Sequence, residues 1–406
     1  MKKFLFLISL LWVLAACKDT VEPPLDGPDR GEVVSATLIQ SFSRNQIDSI
    51  KNSILPFIFA TSINPVNGVD VYKVIYGTID AAGKAVEASG GLCIPKGNLP
   101  HAPLVSYQHG TIAEKEDVPS RGFPRAYETF VGLILGGDGM AVSMPDYLGL
   151  GDSEGMHPYV HAATEATASV DLLRAARTIA QEQSLALDRE LFLLGYSQGG
   201  HATMALTRMI EEDHASEFVI TASSPMAGPY DLSGVMVDRL LSDEPYGAPS
   251  YLPYLMLGYN AVYKLYPGPA DFFAVPYAST IPPLFNGNYS SGQIDAAMPD
   301  VPKRIIRANV LQAFQNDPNH PLRVRLWENN LYDWTPKSPM RMYHCLADEL
   351  VPYANSQLAM AMFQSRGATQ VQLYTPDNLE GLNLGHGDCA GPSLLGARDW
   401  FLKLVE

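Results

Sequence analysis

The chain has 406 residues, 47% apolar and 17% charged. That composition supports a sizeable buried core, excludes a disordered chain, and suits one large domain carrying an insertion. The formal net charge of −15 argues against a basic patch that would hold nucleic acid or anionic headgroups, so no nucleic-acid partner is expected.

Met1-Lys2-Lys3 precedes an apolar run from Phe4 to Ala16. These are the n-region and h-region of a secretory signal peptide spanning 1–16, too short for a comfortable membrane span. Leu14-Ala15-Ala16-Cys17 resembles the bacterial lipobox. The resemblance implies cleavage before Cys17 and a lipid anchor on that residue, giving membrane contact through the N-terminus. An ordinary cleavable signal with an incidental cysteine is the alternative. Residues 18 to about 32 are dominated by Pro, Gly and acidic residues, and the segment 17–42 reads as an acidic tether. Lys18-Asp19 resembles surface-export signals of some Bacteroidetes lipoproteins. The expected location is the bacterial cell envelope, at the outer membrane, with a surface-exposed face open.

The domain at 43–406 begins with a helix over Ser43 to Leu55, near Pro56. Val69 to Ile79 and Val86 to Ile94, separated by Asp80-Ala81-Ala82-Gly83, predict a hairpin. Then strand-like and helix-like pieces alternate: a strand at Leu104 to Tyr107, a helix at Tyr127 to Leu135, a strand at Ala141 to Met144. Ala168, Leu172, Ala175, Ala176 and Ile179 recur at helical spacing within Thr164 to Gln181. Leu191 to Leu194 is an unbroken apolar run, as a buried parallel strand requires. A helix from Gln198 to about Ile210 and a strand at Phe218 to Ala222 follow. The chain closes with a strand at Met340 to Leu346, a helix at Asn355 to Gln364, a strand at Gln370 to Tyr374 and a helix near Leu394 to Val405. This order predicts an α/β fold: a mostly parallel sheet with helices on both faces and an N-terminal hairpin. About 225–333, rich in Tyr, Pro, Met and Phe, is too long for a plain loop. It reads as an inserted helical cap over the sheet edge, where such folds bind ligands; a structural subdomain with no role at the site is the alternative.

Gly195-Tyr196-Ser197-Gln198-Gly199 matches G-x-S-x-G, a strand-to-helix turn that presents a nucleophilic serine. Gly151-Asp152-Ser153-Glu154-Gly155 matches as well. Context separates the two. Ser197 follows an apolar strand and precedes a helix containing Ala202, Met204, Ala205 and Leu206, whereas Ser153 follows a Gly-rich loop and precedes His157-Pro158. Leu193 to Gly200 resembles the nucleophile elbow of α/β-hydrolases. Pro145-Asp146-Tyr147-Leu148-Gly149-Leu150-Gly151 and Gly228-Pro229-Tyr230-Asp231-Leu232 resemble segments of the secretory lipase branch, which includes fungal lipase A-type enzymes. The likeness covers about residues 65 to 406.

In that fold the triad runs Ser, then Asp or Glu, then His. A serine hydroxyl needs a base to take its proton, and the base needs a third group to orient it. His386, in Leu384-Gly385-His386-Gly387-Asp388, stands where the family puts its base. Asp348, in Asp348-Glu349-Leu350-Val351-Pro352, resembles the family's acid turn, with Glu349 and Asp377 as competitors. The backbone N–H of Gln198 is one expected oxyanion donor. The N–H of Thr111, in Gln108-His109-Gly110-Thr111, is the other, with Ile112 as its alternative and His109 structural. Cys345 lies three residues before Asp348 and Cys389 three after His386. A working triad would bring them together, so a Cys345–Cys389 disulfide is expected; two buried thiols are the alternative.

The resemblance implies a carboxylic-ester hydrolase, an esterase or lipase acting on a small ester or lipid-like substrate through an acyl-enzyme, with no cofactor and no metal. A serine peptidase of prolyl-oligopeptidase type is the alternative on the same fold. A surface binding protein on a non-catalytic scaffold is a third reading.

Overall fold

The computed structural model describes residues 27–55, 62–97, 99–379 and 381–405. The signal peptide and Cys17 lie outside the described residues. One nine-stranded sheet organises the chain, in the order β1-β2-β3-β5-β4-β6-β7-β8-β9. The strands are β1 (Val33–Phe42), β2 (Gly68–Ile79), β3 (Ala85–Lys96), β4 (His101–Gln108), β5 (Ala141–Pro145), β6 (Ala186–Tyr196), β7 (Ala222–Met226), β8 (Met340–Tyr343) and β9 (Val371–Tyr374). The first three strands and the junction with β5 pair antiparallel; every pair from β5 to β9 is parallel.

Strand β6 shows why an unbroken apolar run signals a central strand. Successive side chains point to opposite faces. Phe192 and Leu194 enter one core with α2 (Thr129–Gly137) and the terminal helix; Leu191 and Leu193 enter another with α3 (Ala162–Glu182) and α4 (Gln198–Asp213). Phe192 stacks on Phe401 of the terminal helix at 4.5 Å between ring centroids. Full burial of such a side chain stabilises the fold by roughly 1.5–3 kcal/mol. Helix α1 (Arg44–Ile54) starts at a capping box: the Ser43 hydroxyl accepts from the Gln46 N–H, and the Gln46 side chain accepts from the Ser43 N–H.

Between β7 and β8 the insert folds around its own apolar core, through α5 (Val235–Leu240), α6 (Tyr251–Tyr263), α7 (Ala308–Asn316) and α8 (Pro321–Glu328). That core also takes in Ala113, Tyr159 and Val351 from loops of the main domain. After β8 come α9 (Ala354–Ser365), β9 and α10 (His386–Val405).

The structure departs from the sequence reading at three places. Val33–Phe42, placed in the tether, is edge strand β1, paired antiparallel with β2; half-exposed edge strands lack a clean alternation. The strand expected at Phe218 to Ala222 lies at Ala222–Met226. Phe218 and Ile220 are buried just ahead of it, and the strand itself is built from small residues because the start of α4 packs directly on it. The insert therefore begins after Met226. The terminal helix starts at His386, well before Leu394. Gly387, Gly391 and Pro392 look like helix breakers, but the Glu349 carboxylate accepts from the His386 N–H at 3.0 Å and supplies the missing cap.

Candidate active site

Ser197 stands between β6 and α4 with φ +61° and ψ −121°, a backbone conformation that costs energy and persists because its surroundings enforce it. Its N–H donates to the Met226 carbonyl at 2.9 Å. The flanking glycines are required by close approach. A Cβ at Gly195 would lie 2.4 Å from the Gly199 carbonyl oxygen, and one at Gly199 would lie 2.0 Å from that of Gln108. The turn thus aims the hydroxyl beyond the sheet edge while α4 directs its first free N–H, that of Gln198, into the same space.

The three side chains expected to act together do meet. Asp348 Oδ2 lies 2.6 Å from His386 Nδ1, and His386 Nε2 lies 2.9 Å from Ser197 Oγ. A carboxylate can only accept, so Nδ1 carries the proton and Nε2 accepts from the serine hydroxyl. All three residues are buried. Cys345 and Cys389 form a disulfide, Cα to Cα 6.0 Å, which ties the strand leading to Asp348 to the first turn of α10.

Asp348 has more support than the sequence suggested. Oδ1 accepts from the N–H groups of Leu350 and Val351 at 3.0 and 2.8 Å. Oδ2 also accepts from His344 Nε2 at 3.1 Å. His344 Nε2 faces the Val351 carbonyl too, at 2.9 Å, so it carries the proton, and Nδ1 accepts from the Ser356 hydroxyl at 2.7 Å. Burial raises the Asp348 pKa, but the hydrogen bonds from His344 and His386 outweigh it and hold the carboxyl at about 2. The two competitors have other tasks. Glu349 caps α10, and Asp377 accepts from the Leu346 N–H at 2.9 Å. Tyr196 donates to the His386 carbonyl at 2.6 Å and packs its ring on the imidazole at 5.1 Å. His344 was the missed residue; its signal is His four positions before Asp at a strand end.

The loop of the expected second oxyanion donor passes Ser197 at Gly110, where a Cβ would stand 3.9 Å from the serine Cβ. Thr111 follows, its hydroxyl 2.9 Å from the Tyr159 hydroxyl. The Ile112 carbonyl accepts from Tyr254 of α6 at 2.9 Å. His109 is fully buried, with its ring nitrogens against the carbonyls of Gly110 and Asp146 at 2.7 and 3.2 Å. Behind the elbow, the Gln198 amide nitrogen donates to Glu165 Oε1 at 2.9 Å and to His157 Nε2 at 2.8 Å. Burial pushes the His157 pKa down to about 4. Glu165 also meets His201 Nδ1 at 2.7 Å. No sequence motif marked this cluster.

The other matched segments are structural. Asp146 accepts from the Ser89 hydroxyl at 2.6 Å and the Ser120 N–H at 3.0 Å. Asp231 accepts from the N–H groups of Gly234 and Val235, both at 2.9 Å, at the start of α5. Ser153 sits in a turn whose N–H bonds the Leu150 carbonyl. Cys93 is a buried free thiol whose pKa burial pushes up.

Sheet order, elbow and side-chain arrangement define an α/β-hydrolase. The model of the secretory lipase family matches residues 122–225. The rice cell wall degrading esterase LipA from Xanthomonas oryzae is 30% identical, with 93% of this chain and 99% of that one covered and a TM-score of 0.78. Lipase A of Candida antarctica, in its closed state, shares the fold at 18% identity, with 92% and 81% covered and a TM-score of 0.66. A search of curated protein sequences finds no match. The chain belongs to the secretory lipase family and is a carboxylic-ester hydrolase.

Proposed function

We propose that Ser197, His386 and Asp348 carry out ester hydrolysis through an acyl-enzyme. The observation that carries this reading is the hydrogen-bonded line from Asp348 through His386 to Ser197. Ser197 Oγ attacks the ester carbonyl as His386 Nε2 takes its proton. Asp348 holds the imidazole in the tautomer that can do so and stabilises the imidazolium. The N–H groups of Gln198 and Thr111 receive the oxyanion, each such donor being worth about 10²–10³ in rate. The intermediate collapses as His386 returns the proton to the departing alkoxide oxygen. Water, deprotonated by the same nitrogen, then attacks the acyl-enzyme; as that intermediate collapses, His386 returns the proton to Ser197 Oγ and the carboxylic acid is freed.

The test is a fluorophosphonate probe. Wild type should be labelled and Ser197→Ala should not; equal labelling of the two would overturn the assignment. A panel of p-nitrophenyl esters set against aminoacyl-proline amides then reads the bond cleaved, and preference for the amides would overturn the ester reading.

The N-terminal pattern supports export and anchoring through Cys17 to the outer membrane. Likeness to a cell wall degrading esterase agrees with substrates met outside the cell. Radiolabelled palmitate should enter wild type and not Cys17→Ala; label retained in the variant would refute the anchor.

A further inference from the structure

Helix α4 begins Gln198-Gly199-Gly200-His201. Its first free N–H, that of Gln198, is the one aimed at the space beyond Ser197 Oγ. The two glycines carry no side chain, so only Gln198 and His201 can tie that turn to its surroundings through side chains. Both reach the same residue. Glu165, in the first turn of α3 and 1% exposed, accepts from the Gln198 amide on Oε1 at 2.9 Å and meets His201 Nδ1 with Oε2 at 2.7 Å.

The acceptors around this cluster fix where its protons lie. The Asn329 carbonyl, 3.0 Å from His201 Nε2, can only accept, so Nε2 carries a proton. A bare ring nitrogen facing a carboxylate at 2.7 Å would be repelled, so one further proton lies between His201 Nδ1 and Glu165 Oε2. The pair is then neutral as a whole, whereas a lone buried carboxylate beside the elbow would oppose the charge of an oxyanion. His157 Nδ1 donates to the Leu148 carbonyl at 2.8 Å, which leaves its Nε2 to accept the second N–H of the Gln198 amide, also at 2.8 Å. Both amide hydrogens are committed, so the plane of that side chain is set. Gln198 Oε1 is buried with no partner among the described residues. An unmatched buried acceptor is unfavourable; the amide is held by its nitrogen in spite of it.

Resting on the Ser197 acyl-enzyme reading, we propose that Glu165 is a positioning residue for ester hydrolysis: by bridging Gln198 and His201 it fixes the first turn of α4, so that the Gln198 N–H meets the oxyanion without rearrangement. Glu165 acts through that turn and not on the substrate. Donors that need no reorganisation as charge develops stabilise the transition state most, and losing one outright costs about 10²–10³ in rate. A turn left loose forfeits part of that.

The test compares variants on p-nitrophenyl butyrate. Glu165→Gln can keep both bonds, its oxygen on the Gln198 amide and its NH₂ on the bare Nδ1 of a neutral His201, so kcat and KM should stay within about threefold of wild type. Glu165→Ala frees the turn. Its kcat and kcat/KM should fall together by about 10–100-fold with KM within about threefold, as for an interaction made only in the transition state. Affinity for butylboronic acid, whose tetrahedral adduct on Ser197 puts an oxygen where the oxyanion forms, should fall by a similar factor. Asp171→Asn is the structural control. Asp171 is buried on the same helix and bonded to Arg30, Arg174 and Thr78, so the change should lower the urea midpoint and leave kcat within about twofold.

Wild-type kcat or boronate affinity in a folded Glu165→Ala protein would overturn the proposal. So would a loss carried by KM, a Glu165→Gln as damaging as Glu165→Ala, or an equal loss of kcat in Asp171→Asn. Should Glu165→Ala not fold, Glu165→Asp decides: one methylene shorter, it cannot reach Gln198 and His201 together, so its kcat should fall, and wild-type kcat there would overturn the proposal. Failure of the Ser197 reading would show separately, as a wild type that neither takes the fluorophosphonate nor cleaves the ester.

Discussion

Replacing Asp348 by Asn tests the site at its most connected atom. Asp348 Oδ2 receives His386 Nδ1–H and His344 Nε2–H, while Oδ1 receives two backbone N–H groups. An Asn can keep its oxygen on the Leu350 and Val351 amides, so the turn should survive. Its NH₂ group then faces both imidazoles. His386 must turn to the tautomer protonated at Nε2, which cannot accept the Ser197 proton. The same exchange in a serine protease triad lowers kcat by about 10⁴, roughly 5 kcal/mol of barrier at about 1.4 kcal/mol per tenfold. The donors left facing a donor should cost about 1–3 kcal/mol of stability. Hydrolysis of p-nitrophenyl butyrate measures the first figure and urea unfolding the second. Glu349→Gln is the control, because a neutral amide oxygen can still accept the His386 N–H; its activity should stay within about tenfold of wild type. Asp348→Asn within tenfold of wild type, or Glu349→Gln the more damaging of the two, would refute the assignment of the acid.

Removing the disulfide with Cys345→Ser and Cys389→Ser opens a loop closed across 44 residues; the chain-entropy relation predicts a loss of about 4 kcal/mol, read from urea midpoints, and a loss under about 1 kcal/mol would contradict it. The pKa of His157 is pushed down to about 4 by burial, against about 6.5 unfolded. Between those values the unfolded chain binds more protons, so stability is full above about pH 6.5 and falls as pH drops toward 4. His157→Asn should lessen that slope, with His161, also lowered to about 4, retaining its share; parallel pH curves would exclude the effect. Gly199→Ala places a Cβ about 2.0 Å from a backbone oxygen at the elbow. Even if the protein folds, the forced shift of Ser197 should cost about 100-fold in kcat, and wild-type turnover would show that the turn has slack.

The elbow and the meeting of Ser197, His386 and Asp348 were legible in the sequence because each residue sits in a local pattern. An apolar strand running into Gly-x-Ser-x-Gly can make only a tight turn, and Asp348 and His386 follow in the order that the fold imposes. The Cys345–Cys389 pairing was legible for a related reason: each cysteine lies three residues from a triad member, so the triad carries both along. What lies between chain segments left no local mark. Val33–Phe42 becomes a strand only because β2 offers it an edge. Ala222–Met226 is a strand because β6 and β8 pair with it on either side, and its small residues leave room for the start of α4. His344 and Glu349 acquire their tasks from groups that folding brings to them, a carboxylate at 3.1 Å and a helix N-terminus at 3.0 Å.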